Sequence, residues 1–476
     1  MSNAAHEAIT FGRHYPGVLQ SHAGDRFVPA TLIFEERLGA QLEVVFMTRD
    51  DLGDFPIQRE WFDANRTNIP RNLNFYGKEL RLGLYGTRML EVNPGNYVTV
   101  GTFTAENVVF RDRDVSLNEP LRVTEFQSRL DGLGELTRLR ASEVEHERDN
   151  DGRVHALHIT IRSPQSLVWH QGDAEVSISV HWRGSPGNED VHVTESVILV
   201  TKFEEPRSIN EHLNEHDKVR TLLSVLMDGP ALYRGHAVRD STVTDRYITG
   251  EPFDNPLVNL LSRRTLAEHG APAAHKTIWL ELTAFGRQVA PADFANWDKT
   301  FTPEVERALS SFLELMSRNA HSVADRIVNT GIAIEKFGRL LAPVDGERWS
   351  YRGSKTTYNT FAYRCVMTVG ADWSTIADSP QGVAAAIRWA YTSSKHPAET
   401  PPDPREEYLI SRLMMAVMRL VIVRRADSVG DLANSYVESW QFRQLGESLF
   451  EHARVRIDDS GHFYSTEEPT ELTAQR

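Results

Sequence analysis

From Leu409 to Val423 the chain reads LISRLMMAVMRLVIV, apolar almost all the way round a helix. A helix without a polar face cannot lie on a surface, so this one belongs inside a bundle or in an oligomer contact. Its start is marked by Asp403 as N-cap, Pro404 at the first position and Glu406 three residues after the cap. Arg424 and Arg425 close the far end, where cations suit the helix dipole. The run is too short, and too interrupted by Arg412 and Arg419, to span a membrane.

A second helix is predicted just upstream. Ser379 followed by Pro380 reads as its cap, and Val383, Ala384, Ile387, Ala390 and Tyr391 form its apolar stripe, with Arg388 beside it. Ser393 and Ser394 are expected to break the helix, and Pro397 to hold His396 in extended backbone. A neutral imidazole can take a proton from a ribose 2′-hydroxyl near neutral pH. The Arg388 guanidinium can hold phosphate oxygens as charge develops on them, with Lys395 as a supporting contact. A purely structural role is the alternative: Arg388 paired with Glu406 or Glu407, and His396 satisfied by a carbonyl. If the segment stayed helical throughout, eight steps would part Arg388 and His396 by roughly 12 Å, so they meet only if the predicted break folds the loop back.

The rest of the chain divides by periodicity. From about Val28 to Phe203, segments such as VPATLIF, AQLEVVFM and EVSISVHW alternate apolar and polar residues between turn formers, which predicts an antiparallel sandwich or barrel-like domain. His155, His158, His170, His181 and His192 fall here, but strand parity sends His155 and His158 to opposite faces, so no metal site is expected. From Ser208 the pattern turns helical. His212 to His216 spell HLNEH, the H-x-x-E-H string of one zinc protease class, in a polar segment expected to face solvent. Strand-like AVRDSTVTDRYI and TIWLEL, around the helix LVNLLSRRTLAEHG, suggest a mixed connector. Thr302-Pro303-Glu304 then opens a helical region. In it Arg318, Asn319 and His321 copy an Arg-to-His pair at too short a spacing.

Composition narrows the function classes. The net charge of −14 repels nucleic acid at long range, so RNA binding has to be local. Arg263, Arg264, Arg388, Lys395, Arg405, Arg412, Arg419, Arg424 and Arg425 supply candidate patches, or simply solvated helix ends. The single cysteine, Cys365, excludes an internal disulfide and a cysteine-based zinc site, and with no leader or membrane-length run a cytoplasmic location is expected. No phosphate-loop, CxxC or GxSxG string occurs, and no cofactor is implied.

The order helix, Arg388, His396, proline-rich loop, apolar helix resembles the catalytic corner of HEPN domains, many of them metal-independent ribonucleases. Seven residues separate Arg388 from His396, more than in the family pattern, and Trp389 replaces its usual polar residue. Together with VPATLIF and VTVGTF near the start, and ALSSFLELMSR and AIEKFGRLL later, most of the chain resembles bacterial ApeA-type anti-phage proteins, a β-rich domain followed by a HEPN domain. Glu335 falls where those proteins carry an acid in the helical domain. The resemblance implies an α+β chain with a recognition domain over 1–207, a connector over 208–290, a HEPN-like bundle over 291–457 and a flexible polar tail over 458–476. It further implies a metal-independent RNA endonuclease acting on tRNA or other RNA, a phage-derived trigger, no membrane, and a homodimer with the Asp403–Arg425 helix as a candidate contact. Arg388 and His396 would be catalytic, Lys395 and Glu335 supporting. A catalytically silent HEPN-like sensor, and a zinc hydrolase at His212 and His216, are the alternatives.

Overall fold

A computed structural model of the chain describes residues 9–21, 25–49, 55–62, 70–110, 120–186, 191–239, 245–246, 252–254, 257–272, 289–317, 322–396 and 400–466. The fold is α+β, a large antiparallel sheet followed by helices. The strands in chain order are β1 (His14–Gln20), β2 (Val28–Glu35), β3 (Gly39–Met47), β4 (Asn72–Gly77), β5 (Arg81–Tyr85), β6 (Arg88–Pro94), β7 (Val98–Ala105), β8 (Asn107–Phe110) and β9 (Arg122–Leu130). They continue as β10 (Ser142–Arg148), β11 (Val154–Ile161), β12 (Leu167–Gln171), β13 (Ala174–Pro186), β14 (Val191–Ser208), β15 (Tyr233–Arg239), β16 (Asp245–Arg246), β17 (Pro252–Asp254), β18 (Leu257–Ser262), β19 (Val455–Ile457) and β20 (Phe463–Ser465).

Fourteen strands form one sheet, in the order β12-β13-β14-β9-β15-β18-β8-β5-β4-β1-β2-β3-β7-β6. Among the described residues its ends β12 and β6 do not pair, so it is no closed barrel. Two strands of the expected connector, β15 and β18, stand between β9 and β8 and join the two parts of the sheet. Sequence proximity hid this, because their partners lie more than a hundred residues upstream: His236 pairs with Ser128, and Leu260 with Val109. One large core packs Leu19, Leu32, Phe34, Leu42, Phe75 and Phe103, all fully buried. TIWLEL and the Arg318, Asn319, His321 decoy lie outside the described residues.

Contacts divide the chain into two compact units, one of Met1–Asp131, Arg140–His216 and Leu232–Ala273, the other of Gly132–Leu139, Asp217–Ala231 and Ala274–Arg476. The first holds the sheet. The longer helices are α1 (Ile209–Met227), α2 (Pro291–Thr300), α3 (Pro303–Met316), α4 (Val323–Leu340), α5 (Tyr358–Val369), α6 (Pro380–Lys395) and α7 (Pro404–Ala426). In the second unit α7 lies at the centre, against α2, α4 and α5. Leu413, Met414, Val417, Leu420 and Val421 of α7 are wholly buried within this one chain, which removes its apolar face as a subunit contact. Thr302 caps α3 by accepting from the Val305 N–H, as its sequence predicts.

The polar tail is ordered further than its composition suggests. Strands β19 and β20 pair through Ile457 and Phe463, and the turn between them presses on α6. A Cβ on Gly461 would stand 2.5 Å from the Ala386 nitrogen, and one on Gly382 2.3 Å from the Asp458 carbonyl oxygen. Gly461, at φ +89°, is therefore required twice, by backbone conformation and by space.

Candidate functional site

Helix α6 begins as expected, with the Ser379 hydroxyl accepting from the Gly382 N–H at 3.2 Å. The predicted break at Ser393 is absent. The hydroxyls of Thr392, Ser393 and Ser394 donate back to the carbonyls of Arg388, Ala390 and Ala390, and the helix runs to Lys395. Hydroxyls that would open the helix are used up inside it. His396 is the C-cap, in extended backbone at φ −123° and ψ 101°, as Pro397 requires.

The uninterrupted helix fixes how the candidate residues relate. Arg388 and Lys395 are seven residues apart, about 20° short of two turns, so they lie along one stripe. His396 is one step further round, roughly 12 Å along the axis from Arg388 and about 80° away from it. Arg388, Lys395 and His396 are all exposed. Glu406 is not a partner for Arg388; it accepts from the Asp403 N–H at 3.0 Å, while Asp403 Oδ1 accepts from the N–H groups of Arg405 and Glu406.

Tyr391, read from the sequence only as part of the apolar stripe, connects two candidates. Lys395 Nζ donates to the Tyr391 hydroxyl and lies 4.1 Å from its ring centroid. That hydroxyl donates in turn to Glu335 Oε2 at 3.3 Å, and Arg339 donates to Glu335 Oε1 at 2.5 Å. The Tyr391 ring stacks on Tyr358, centroids 4.3 Å apart. Burial, reinforced by the Glu335 carboxylate, holds the Tyr391 hydroxyl well above the usual phenol range. The phenol is a donor here, not a base. Its i, i+4 spacing to Lys395 was visible in the sequence, but Glu335 lies on another helix.

Trp389 explains itself structurally. Its indole N–H donates to the Thr400 carbonyl at 3.0 Å and its ring meets His462 edge-on, centroids 5.4 Å apart. Thr400 thus lies beside Trp389 of α6. Residues 397–399 lie outside the described set.

Several of the candidate basic residues have structural duties instead of facing a groove. Arg419, expected on a solvated patch, is buried and donates to the carbonyls of Val225 and Leu226, each at 3.0 Å, and to the Tyr436 hydroxyl. Arg424 donates to the Val369 carbonyl and Arg405 to that of Ala453. These are orphan carbonyls at helix ends, which attract guanidinium groups. Arg264 donates to Asn214 in the first unit.

The two histidines of the HLNEH string are buried, contrary to the expected solvent-facing helix, while Asn214 between them is exposed. His212 and His216 are both fully enclosed. His212 Nε2 meets the Val123 carbonyl at 3.0 Å, which makes it the protonated nitrogen, and His216 Nδ1 meets Ser128 Oγ at 2.8 Å. Ser128 also contacts His236 Nδ1 at 2.8 Å, and the Phe126 ring packs against all three imidazoles. Burial lowers the His212 pKa to about 4 and holds His216 well below its ordinary value. Glu215 turns away, accepting from Gln171. Among the described residues no group of three or more His, Cys, Asp or Glu is placed to hold a metal. His155 and His158 do not part as parity predicts: both reach Glu147, at 3.4 and 3.2 Å, beside a bulge at Glu147 and Arg148.

Among the described residues no helix is long and apolar enough to cross a membrane. No curated protein and no solved structure matches the chain. Residues 16–242 match the family model of ApeA N-terminal domain 1, a span ending within the sheet-bearing unit, and the match supports an ApeA-type protein.

Proposed function

We propose that the chain is an anti-phage defence protein whose helical unit is a metal-independent RNA endonuclease of the HEPN type, acting on tRNA or another RNA. The match of residues 16–242 to ApeA N-terminal domain 1 carries the defence role. The exposed Arg388, Lys395 and His396 at the end of α6 support the chemistry. His396 serves as general base or acid at the 2′-hydroxyl, Arg388 holds the scissile phosphate, and Lys395, steadied by Tyr391 and Glu335, adds a second cation along the same strand of RNA. With Arg388 and His396 two helical turns apart, one RNA phosphate is served by both only if two copies of the chain face each other across a shared cleft. The β-rich domain is the part that senses infection through a phage-derived trigger.

One observation favours a second proposal, a silent HEPN-like binding protein: α6 is unbroken between its arginine and its histidine. The deciding experiment incubates purified protein with total bacterial RNA and with tRNA in EDTA, then repeats the assay during phage infection. Discrete cleavage abolished by both Arg388→Ala and His396→Ala, with folding intact, is the expected result. Intact RNA in both settings would overturn the nuclease reading and favour the binding protein.

A further inference from the structure

The sheet of the first unit has a second feature, on the face away from α1. Phe126, Ser128 and His236 point toward His212 and His216, so Gln127, Arg129 and Ala237 project from the opposite face of β9 and β15. There a cavity of about 530 Å³ opens over β13, β14, β9, β15 and β18. Gly235 and Ala237 give it depth, since neither has a side chain long enough to fill the space above the sheet.

Its lining has one sign of charge. Arg129 and Arg183 supply it, beside His181, whose pKa burial lowers, and the described lining contains no aspartate or glutamate, in a chain whose net charge is −14. The neighbouring carboxylate on this face, Glu125, is already engaged, accepting from Gln127 at 2.7 Å and from Arg239 at 3.1 Å. Arg129 is held in place by donating to the Arg234 carbonyl at 3.2 Å. Ser196 and Asn259 add neutral hydrogen-bonding groups to the same floor.

Size and charge together select the ligand. A single ion would leave most of the space empty, whereas pockets of roughly 300–1,000 Å³ suit small organic molecules. Guanidinium groups pair best with the planar or tetrahedral oxygens of carboxylate and phosphate. We infer that this cavity binds a small organic anion of metabolite size, carrying phosphate or carboxylate groups, which makes the β-rich domain a small-molecule binding module. Nothing in this inference depends on the nuclease proposal.

The test is calorimetric titration of the full-length protein with glucose 6-phosphate, with citrate and with glucose. Saturable one-site binding of glucose 6-phosphate or of citrate is expected, none of glucose, and whichever anion binds identifies the group recognised. Binding should weaken at least about ten-fold in Arg183→Gln, whose side chain is exposed and dispensable for folding, and again in His181→Gln. Arg129→Gln extends the series where it folds. The proposal is overturned if neither anion binds at concentrations up to about 10 mM, a very weak affinity on the usual scale. It is equally overturned if binding survives both Arg183→Gln and His181→Gln in protein with unaltered thermal stability.

Discussion

The Tyr391 hydroxyl donates to the Glu335 carboxylate at 3.3 Å, and so ties the helix carrying Arg388 to the helix carrying the acid. Tyr391→Phe keeps the ring stacked on Tyr358 but removes both this bond and the one from Lys395. The loss should be about 1 kcal/mol, since the partners are half-exposed and can turn to water. Urea unfolding of the two proteins measures it directly. If the nuclease proposal holds, the same substitution loosens Lys395 and lowers cleavage less than Arg388→Ala does.

Gly331→Ala tests the same contact from the other side. A Cβ there would lie 2.1 Å from Cδ2 of Tyr391, far inside van der Waals contact. Alanine gains roughly 1 kcal/mol over glycine within a helix. Overpacking against a ring held by Tyr358 and Glu335 costs about 1–3 kcal/mol, so the variant should be destabilised overall. A rise in the thermal midpoint would contradict this packing.

Arg419→Met should be among the most damaging changes in the helical unit. It strands the Val225 and Leu226 carbonyls and leaves Asp228, 3.7 Å away, without its guanidinium. Leaving buried partners of a charged group unpaired costs about 3–5 kcal/mol. Chemical denaturation should show a shift of that size, whereas Arg425→Met, at an exposed position, should stay near the wild type.

Acid should weaken the helical unit through Glu347. The carboxylate accepts from Arg364 Nε at 2.7 Å and Nη2 at 2.8 Å, and these bonds lower its pKa from 4.5 to about 2 against the opposing effect of burial. A depressed folded-state pKa gives stability that is complete above the unfolded value and is lost as protons return. Stability should therefore fall between pH 4.5 and about 2, and Glu347→Gln should remove that slope while lowering stability at neutral pH. Denaturant titrations at a series of pH values decide it.

The buried histidines give a separate signature at milder pH. His212, lowered from 6.5 to about 4 mainly by burial, stays neutral in the fold while the unfolded chain takes up its proton. The unfolded state binds more protons in that interval, so stability of the sheet-bearing unit should decline as pH falls from 6.5 towards 4. Added zinc should leave its thermal midpoint unchanged, because among the described residues no third His, Cys, Asp or Glu joins His212 and His216 in a metal-holding group. Zinc-dependent stabilisation would revive the zinc-site alternative.

What the sequence determined by itself is local. Asp403, Ser379 and Thr302 mark their helices because a side chain capping an N–H two or three residues ahead needs no distant partner. Pro397 sets the His396 backbone for the same reason, and alternation along strands such as VPATLIF follows from a sheet with a buried face. The tertiary structure decided everything that depends on who arrives from far away. Arg419 is buried because the carbonyls it meets lie 194 and 193 residues earlier, and His212 because Val123 lies 89 residues earlier. None of these distances has a local signature, so a basic residue and a polar helix both look like surface until the sheet and the bundle close over them. Whether Ser393 and Ser394 end a helix or continue it was settled in the same way: packing of Val383, Ile387 and Ala390 held α6 together, and the hydroxyls then found their acceptors within it.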